Sequence, residues 1–270
     1  MTPPGRRASS TERESMTRLW QSIGSAWTWL VLVLCMILWL PLMAVLRLVT
    51  APFDRGRYWV GYLFRQIPTV TVGLNPLWRF HCSGTMPADP RRPYVVVSNH
   101  ESFADILLIS HLPWEMKWLS KAELFRLPVL GWLMWLAGDI PVWRGFGPSA
   151  IEAMAKCRDT LSHRVSVMIF PEGTRSTKPE LLPFKDGAFR LAIDAGVAIL
   201  PLAVYGTATA LPKHDWRLGV TTAEVRVLPP VETSGLTVED VPTLKARVRQ
   251  MIVDARAELA AERRASDQSR

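Results

Sequence analysis

A chain of 270 residues has room for one large domain, or two modest ones, with a real core. Its hydrophobic share of 49% excludes general disorder. A formal net charge of +8 favours anionic partners, and 12 Trp with a long apolar segment select acidic lipid over nucleic acid; no zinc-finger spacing, RRM signature or concentrated basic run supports the latter.

Residues 1–18 are polar and read as a loose tail. No charge interrupts residues 19–46. As a helix, residues 26–46 would be about 31 Å long, close to the thickness of a bilayer's hydrocarbon core. A secretory signal is the weaker reading, because the stretch is too long and no small-residue cleavage site follows it. Arginines flank both ends, so the positive-inside rule gives no orientation, and Pro41 can kink the helix. Residues 58–67 alternate aromatic and aliphatic side chains between Arg57 and Arg65, as an interfacial helix does. A helix pair lodged in one leaflet and a true span fit equally well. The expected organisation is a tail over 1–18, membrane-binding helices over 19–70, an α/β domain over 71–235, and a C-terminal helix and tail over 236–270.

Beyond Pro76, short apolar runs at 78–82, 94–98, 116–119, 165–170, 198–205 and 224–228 predict strands. Helical patterns at 103–111, 129–137, 149–162 and 188–194 alternate with them, which implies a layered α/β domain around a mostly buried sheet. The apolar run 124–137 reads first as a core helix, with Pro128 in its first turn and Gly138 ending it. It reads second as a lining for an acyl chain or a surface touching the bilayer. A last amphipathic helix over 243–263 places Leu244, Val248, Met251, Ile252, Ala255 and Leu259 on one face. Cys35, Cys82 and Cys157 show no paired spacing, which fits a reducing compartment.

Chemistry concentrates at two strand ends. The first strand runs into Asn99-His100-Glu101-Ser102-Phe103-Ala104-Asp105. Residues five apart differ by about 140° on an ideal helix. His100 and Asp105 can still meet if the histidine lies in the turn and the aspartate in the first helical turn; Asp105 then fixes the tautomer and leaves the other ring nitrogen as a base. A packed histidine beside a capping aspartate fits the same residues. The second strand ends in Phe170-Pro171-Glu172-Gly173-Thr174-Arg175-Ser176, where Gly173 suits a tight turn and Arg175 offers a planar fork for phosphate. An ordinary turn with a solvated arginine is the competing reading. A third segment, 138–144, reads as another strand ending in Arg144, and a fourth, 199–204, is apolar throughout and most simply a buried strand. Lys121 and Lys185 read equally well as solvated charges. His81, His111, His163 and His214 lack partners at metal spacing, and His100 with Asp105 lacks a third ligand.

The order NHESFAD, GDIPVWR, FPEGTRS and ILPLAV resembles the four ordered blocks of the glycerolipid acyltransferase family, with the first and third blocks about seventy residues apart. The second block departs from the family pattern, with Pro141-Val142-Trp143 before its arginine. The resemblance covers about residues 75–230 and implies transfer of an acyl group, carried on coenzyme A or acyl carrier protein, to the sn-2 hydroxyl of a lysophosphatidic acid. It implies His100 as general base, Asp105 as its orienting partner, and Glu172, Gly173, Thr174 and Arg175 at the glycerol phosphate. Arg144 and Lys121 are further phosphate contacts. No metal or other cofactor is called for. Membrane lipid is the expected partner, and the expected setting is the inner membrane with the catalytic domain in the cytoplasm. Another lysolipid, such as a lyso-aminolipid, or glycerol 3-phosphate is the alternative acceptor. A metal-dependent hydrolase and a non-catalytic membrane adaptor are the rival classes.

Overall fold

The computed structural model describes residues 10–176, 180–212 and 215–269. Residues 1–9 of the expected tail, and His214, lie outside them. The remainder of that tail is not loose: a single helix, α1, runs from Ser10 to Thr50. Extending an existing helix is cheap compared with nucleating one, so the apolar segment carries its polar flank along. Pro41 is accommodated inside α1 without ending it.

A turn at 51–57 reverses the chain into α2 (Tyr58–Gly73). Asp54 caps this helix, accepting from the amides of Tyr58 and Trp59 at 2.9 Å each. The helices are antiparallel: the Trp39 indole donates to the Leu63 carbonyl and the Trp27 indole to that of Leu74, both at 3.0 Å. Val31, Cys35 and Met43 of α1 bury against Val60, Phe64 and Ile67 of α2. The opposite face of α1 exposes Trp20, Trp27, Leu30, Leu34, Leu38 and Leu42. Among the described residues, Met16–Thr50 is the one helix long and apolar enough to cross a membrane. So large an exposed apolar face marks membrane association.

Seven strands form one sheet in the order β1-β7-β6-β2-β5-β3-β4. They are β1 (Trp78–Gly84), β2 (Val95–Ser98), β3 (Met116–Lys121), β4 (Ile140–Val142), β5 (Ser166–Ile169), β6 (Ile199–Tyr205) and β7 (Thr221–Val227). All neighbours are parallel except β6 and β7. The central strands β2 and β5 are buried throughout, as expected for parallel strands covered on both faces, whereas β7 alternates buried and half-buried residues. On one face pack α5 (Gly147–Ser162), α6 (Gly187–Ala195) and α7 (Val241–Gln268). The other face receives α3 (Ala104–Ile109) and Trp114. In α7, Leu244, Val248, Ile252, Ala255 and Leu259 are buried, and Met251 is half-buried.

The run 124–137 divides. Ala122–Arg126 is a 3₁₀ turn, and α4 spans Leu130–Ala137. Pro128 is not in its first turn, because Val129 takes a positive φ of 62° and helical geometry begins only after it. Gly138, at φ 82°, ends α4 as a left-handed cap. Leu133 and Met134 bury against the α1–α2 hairpin while Trp132 and Trp135 face outward. The helix thus combines core packing with an exposed aromatic face.

A buried charge cluster docks α2 on the sheet edge. Arg65 bonds the Asp139 carboxylate and approaches Glu115 at 3.6 Å, and Lys117 bonds Glu115 at 2.8 Å. Burial pushes the Glu115 carboxyl up and the Lys117 ammonium down. Gly61 makes this approach possible, since a Cβ there would stand 2.0 Å from Glu115 Oε1.

Candidate active site

The loop between β2 and α3 (residues 99–103) and the loop after β5 (residues 170–176) leave adjacent parallel strands at their C-terminal ends, where α/β sheets bind ligands. Asn99 fixes the first loop to β6, exchanging two bonds with Val204 at 2.9 and 2.8 Å. His100 lies in the turn and Asp105 in the first turn of α3, so the five-residue spacing closes. His100 Nδ1 stands 2.7 Å from Asp105 Oδ2. The same oxygen accepts from the amides of Glu101 at 2.7 Å and Ser102 at 3.0 Å. The Thr207 hydroxyl donates to the other oxygen. Asp105 is fully buried, yet every side of its carboxylate is met by a donor. The imidazole stacks on Phe170, with centroids 3.9 Å apart and planes 15° from parallel.

Glu172 sits differently from the role expected of it. Its Oε1 accepts from the His100 amide and its Oε2 from the Leu182 amide, each at 2.8 Å. Burial pushes its carboxyl up, and the two amides oppose that shift. Both oxygens are engaged with backbone, and a carboxylate would repel a phosphate. Glu172 is therefore a staple between the two loops rather than a phosphate ligand. A second staple is the Ser176 amide, which donates to the His100 carbonyl at 2.8 Å.

Gly173 adopts φ 72°, and a Cβ there would come within 2.7 Å of Lys185 Nζ. Its lack of a side chain thus admits the lysine. Thr174 is exposed at the loop tip, and Arg175 is exposed and makes no ion pair among the described residues. The three cations expected to converge do not share one cavity. Arg144 lines a cavity of about 410 Å³ with Gly173, Lys185, Phe170 and Trp143. Arg175 faces a cleft of about 640 Å³ with Glu101, Ser176, Arg256 and Arg263. Lys121 pairs with Glu123 at 3.0 Å, near the end of β3, and lines neither space. Lys121 ends β3 and Arg144 follows the edge strand β4, whereas Arg175 lies in the loop after β5. A third space, about 370 Å³ and almost wholly apolar, runs between the hairpin and the domain. Met36, Phe64, Phe103, Ile106, Leu130 and Met134 help line it.

Thr207, Lys185 and Arg256 are the residues that sequence reasoning did not select for the site. Thr207 and Arg256 lie 102 and 155 residues from their loop partners, beyond any local motif. Lys185 carried a weak signal, standing two residues before Gly187 at the start of α6.

The acyltransferase family model matches residues 79–205, which contain both loops. The 1-acyl-sn-glycerol-3-phosphate acyltransferase alpha of Homo sapiens is 39% identical over 188 residues, 69% of this chain and 66% of the relative. A 1-acyl-sn-glycerol-3-phosphate acyltransferase of Chlamydomonas reinhardtii is 36% identical over 173 residues, 58% of this chain and 52% of the relative. The chain thus spans a little under two thirds of the human relative and about half of the algal one. The crystal structure of the 1-acyl-sn-glycerophosphate (LPA) acyltransferase from Thermotoga maritima matches with a TM-score of 0.73 at 20% identity, over 89% of this chain and 97% of that one. That likeness is one of fold, since so few residues are shared. Sequence relatives and fold agree on the span in which His100 meets Asp105, and residues 79–205 of the chain form an acyltransferase-family domain.

Proposed function

We propose that the protein transfers a fatty acyl group from a thioester to the sn-2 hydroxyl of a 1-acylglycerol 3-phosphate, giving phosphatidic acid for phospholipid synthesis. The observation that carries this reading is the His100–Asp105 pair at 2.7 Å, with the aspartate held by the Glu101 and Ser102 amides and Thr207. With Nδ1–H donating to Asp105, Nε2 is left as the base. It takes the acceptor's hydroxyl proton as the oxygen attacks the thioester carbonyl. The C–O bond forms, the C–S bond breaks, and the imidazolium returns the proton to the departing thiolate. Asp105 supports the cation while it exists. No acyl-enzyme is called for.

Cations in both of the spaces beside the two loops suit two phosphate-bearing substrates. Arg175 is exposed, without an ion-pair partner among the described residues, and adjoins Ser176, which is tethered to His100. It is assigned to the acceptor's phosphate, with Arg144 and Lys185 on the other flank. The apolar space of about 370 Å³ suits an acyl chain entering from the hairpin side. The apolar face of α1 rests in the bilayer, and the catalytic domain faces the cytoplasm at the inner membrane.

The test uses vesicles bearing the protein, acyl-coenzyme A or acyl carrier protein as donor, and lysophosphatidic acid, lysophosphatidylcholine, a lyso-aminolipid or glycerol 3-phosphate as acceptor. Thiol release that requires lysophosphatidic acid is expected, and His100→Ala should lower it by about 10²- to 10⁴-fold. Undiminished turnover by that variant would overturn the mechanism. Thiol release independent of any acceptor would indicate a hydrolase.

A further inference from the structure

The acyltransferase family model ends at Tyr205, and α7 lies wholly beyond it. One edge of this helix is nevertheless basic and turned toward the site. Lys245, Arg249 and Arg256, spaced four and seven residues apart, fall on one side of a helix with a 3.6-residue period. Lys245 Nζ bonds Asp186 at 2.7 Å, and the Arg249 guanidinium donates to the Leu181 carbonyl at 3.0 Å. The Arg256 guanidinium bonds the Glu101 carboxylate.

Two of these contacts fall one residue from a group that holds the base. Leu181 precedes Leu182, whose amide donates to Glu172. Glu101 itself donates its amide to Asp105 Oδ2 and follows His100 directly. Its side chain retains only 11% exposure, and that of Arg256 15%. The groups facing Glu101 are Asp105 from α3, Glu172 from the second loop, His100 beside it, and Arg256 from α7. Arg175 and Arg263 face the same cleft. A buried carboxylate between two others is costly, and Arg256 is the cation in contact with it.

We propose that Arg256 is a positioning residue for acyl transfer: by holding Glu101 it fixes the backbone that sets His100 against Asp105, so that α7 is part of the active site. This rests on the acyl-transfer reading of the same site.

The experiment measures steady-state kinetics in vesicles for wild type, Arg256→Ala, Arg256→Lys, Glu101→Gln and the Glu101→Gln/Arg256→Ala double variant, with thermal melts of each. Arg256→Ala should lower kcat by about ten- to a hundredfold, the scale of a misplaced catalytic group, with both KM values within about twofold of wild type. Arg256→Lys should recover part of the loss, since it keeps the charge but not the planar fork. In the Glu101→Gln background the same alanine change should cost clearly less, because the two residues act through one contact. Wild-type kcat in Arg256→Ala, or an equal loss in both backgrounds, overturns the proposal. A rise in KM alone also overturns it, because Arg256 would then be a substrate contact. If Arg256→Ala does not fold, Arg256→Lys decides: a reduced kcat at unchanged KM supports the role, and wild-type kcat refutes it. Absence of acceptor-dependent thiol release in the wild type would instead remove the acyl-transfer reading itself.

Discussion

Replacing Glu172 by Gln keeps the size of the side chain but exchanges one acceptor oxygen for an NH₂ group. In the structure Oε1 and Oε2 each accept one backbone amide, from His100 and Leu182, at 2.8 Å. Whichever way the amide turns, one of these N–H groups meets a donor and loses its bond. A hydrogen bond to a charged group contributes about 1.5–3 kcal/mol, and a buried N–H left unpaired carries a similar penalty, so a net loss of about 2–3 kcal/mol is reasonable. In stability that corresponds to roughly 4–12 °C in Tm. Where the lost bond is the one to His100, the base is displaced and kcat falls, by about 30- to 150-fold when the whole of that loss appears in the barrier. The assay pairs a thermal melt with kinetics on lysophosphatidic acid and lysophosphatidylcholine. The expected result is a lower Tm and lower kcat, with the acceptor's KM unchanged. A higher KM for lysophosphatidic acid alone, at unchanged Tm, would refute the staple and return Glu172 to phosphate binding.

Other perturbations test separate parts of the architecture. Asp105→Asn should lower kcat by at least about a hundredfold, since an amide supports an imidazolium poorly, and Thr207→Val should cost about tenfold; wild-type rates in either would remove the pair from the mechanism. Glu101 tests the pH dependence of stability, because burial raises its folded pKa from the usual 4.5 to about 7, with Arg256 opposing. Between those values the unfolded chain has released a proton that the folded protein still holds, so stability falls as pH rises, by about 3 kcal/mol across the window. The Tm of Glu101→Gln relative to that of wild type should therefore rise from pH 5 to pH 8, and a constant difference would contradict the buried carboxylate. Gly61→Ala places a Cβ 2.0 Å from Glu115 Oε1 and 2.2 Å from Lys117 Nζ. It should cost about 1–3 kcal/mol as α2 lifts from the sheet, and an unchanged melt would mean that the hairpin is loosely docked.

Local pattern carried much of the reading. Apolar runs with turn residues between them located six of the seven strands within a few residues, most plainly the central β2 and β5, because strands buried on both faces need unbroken apolar sequence. The apolar stretch from residue 19 identified the membrane-associating helix on length and composition alone. His100 and Asp105 were legible because strand, turn and first helical turn lie within one short segment, so their meeting is a matter of local geometry. Tertiary structure decided what depends on strand order. The β2–β5 pairing brings the Glu172 loop under the His100 amide and makes a residue read as a ligand into a staple. Lys121, Arg144 and Arg175 follow the neighbouring strands β3, β4 and β5, and only the tertiary structure puts Arg144 and Arg175 in separate spaces. Thr207 and Arg256 reach the site only through the packing of β6 and α7, at sequence separations where a residue's own neighbours say nothing about what it will touch.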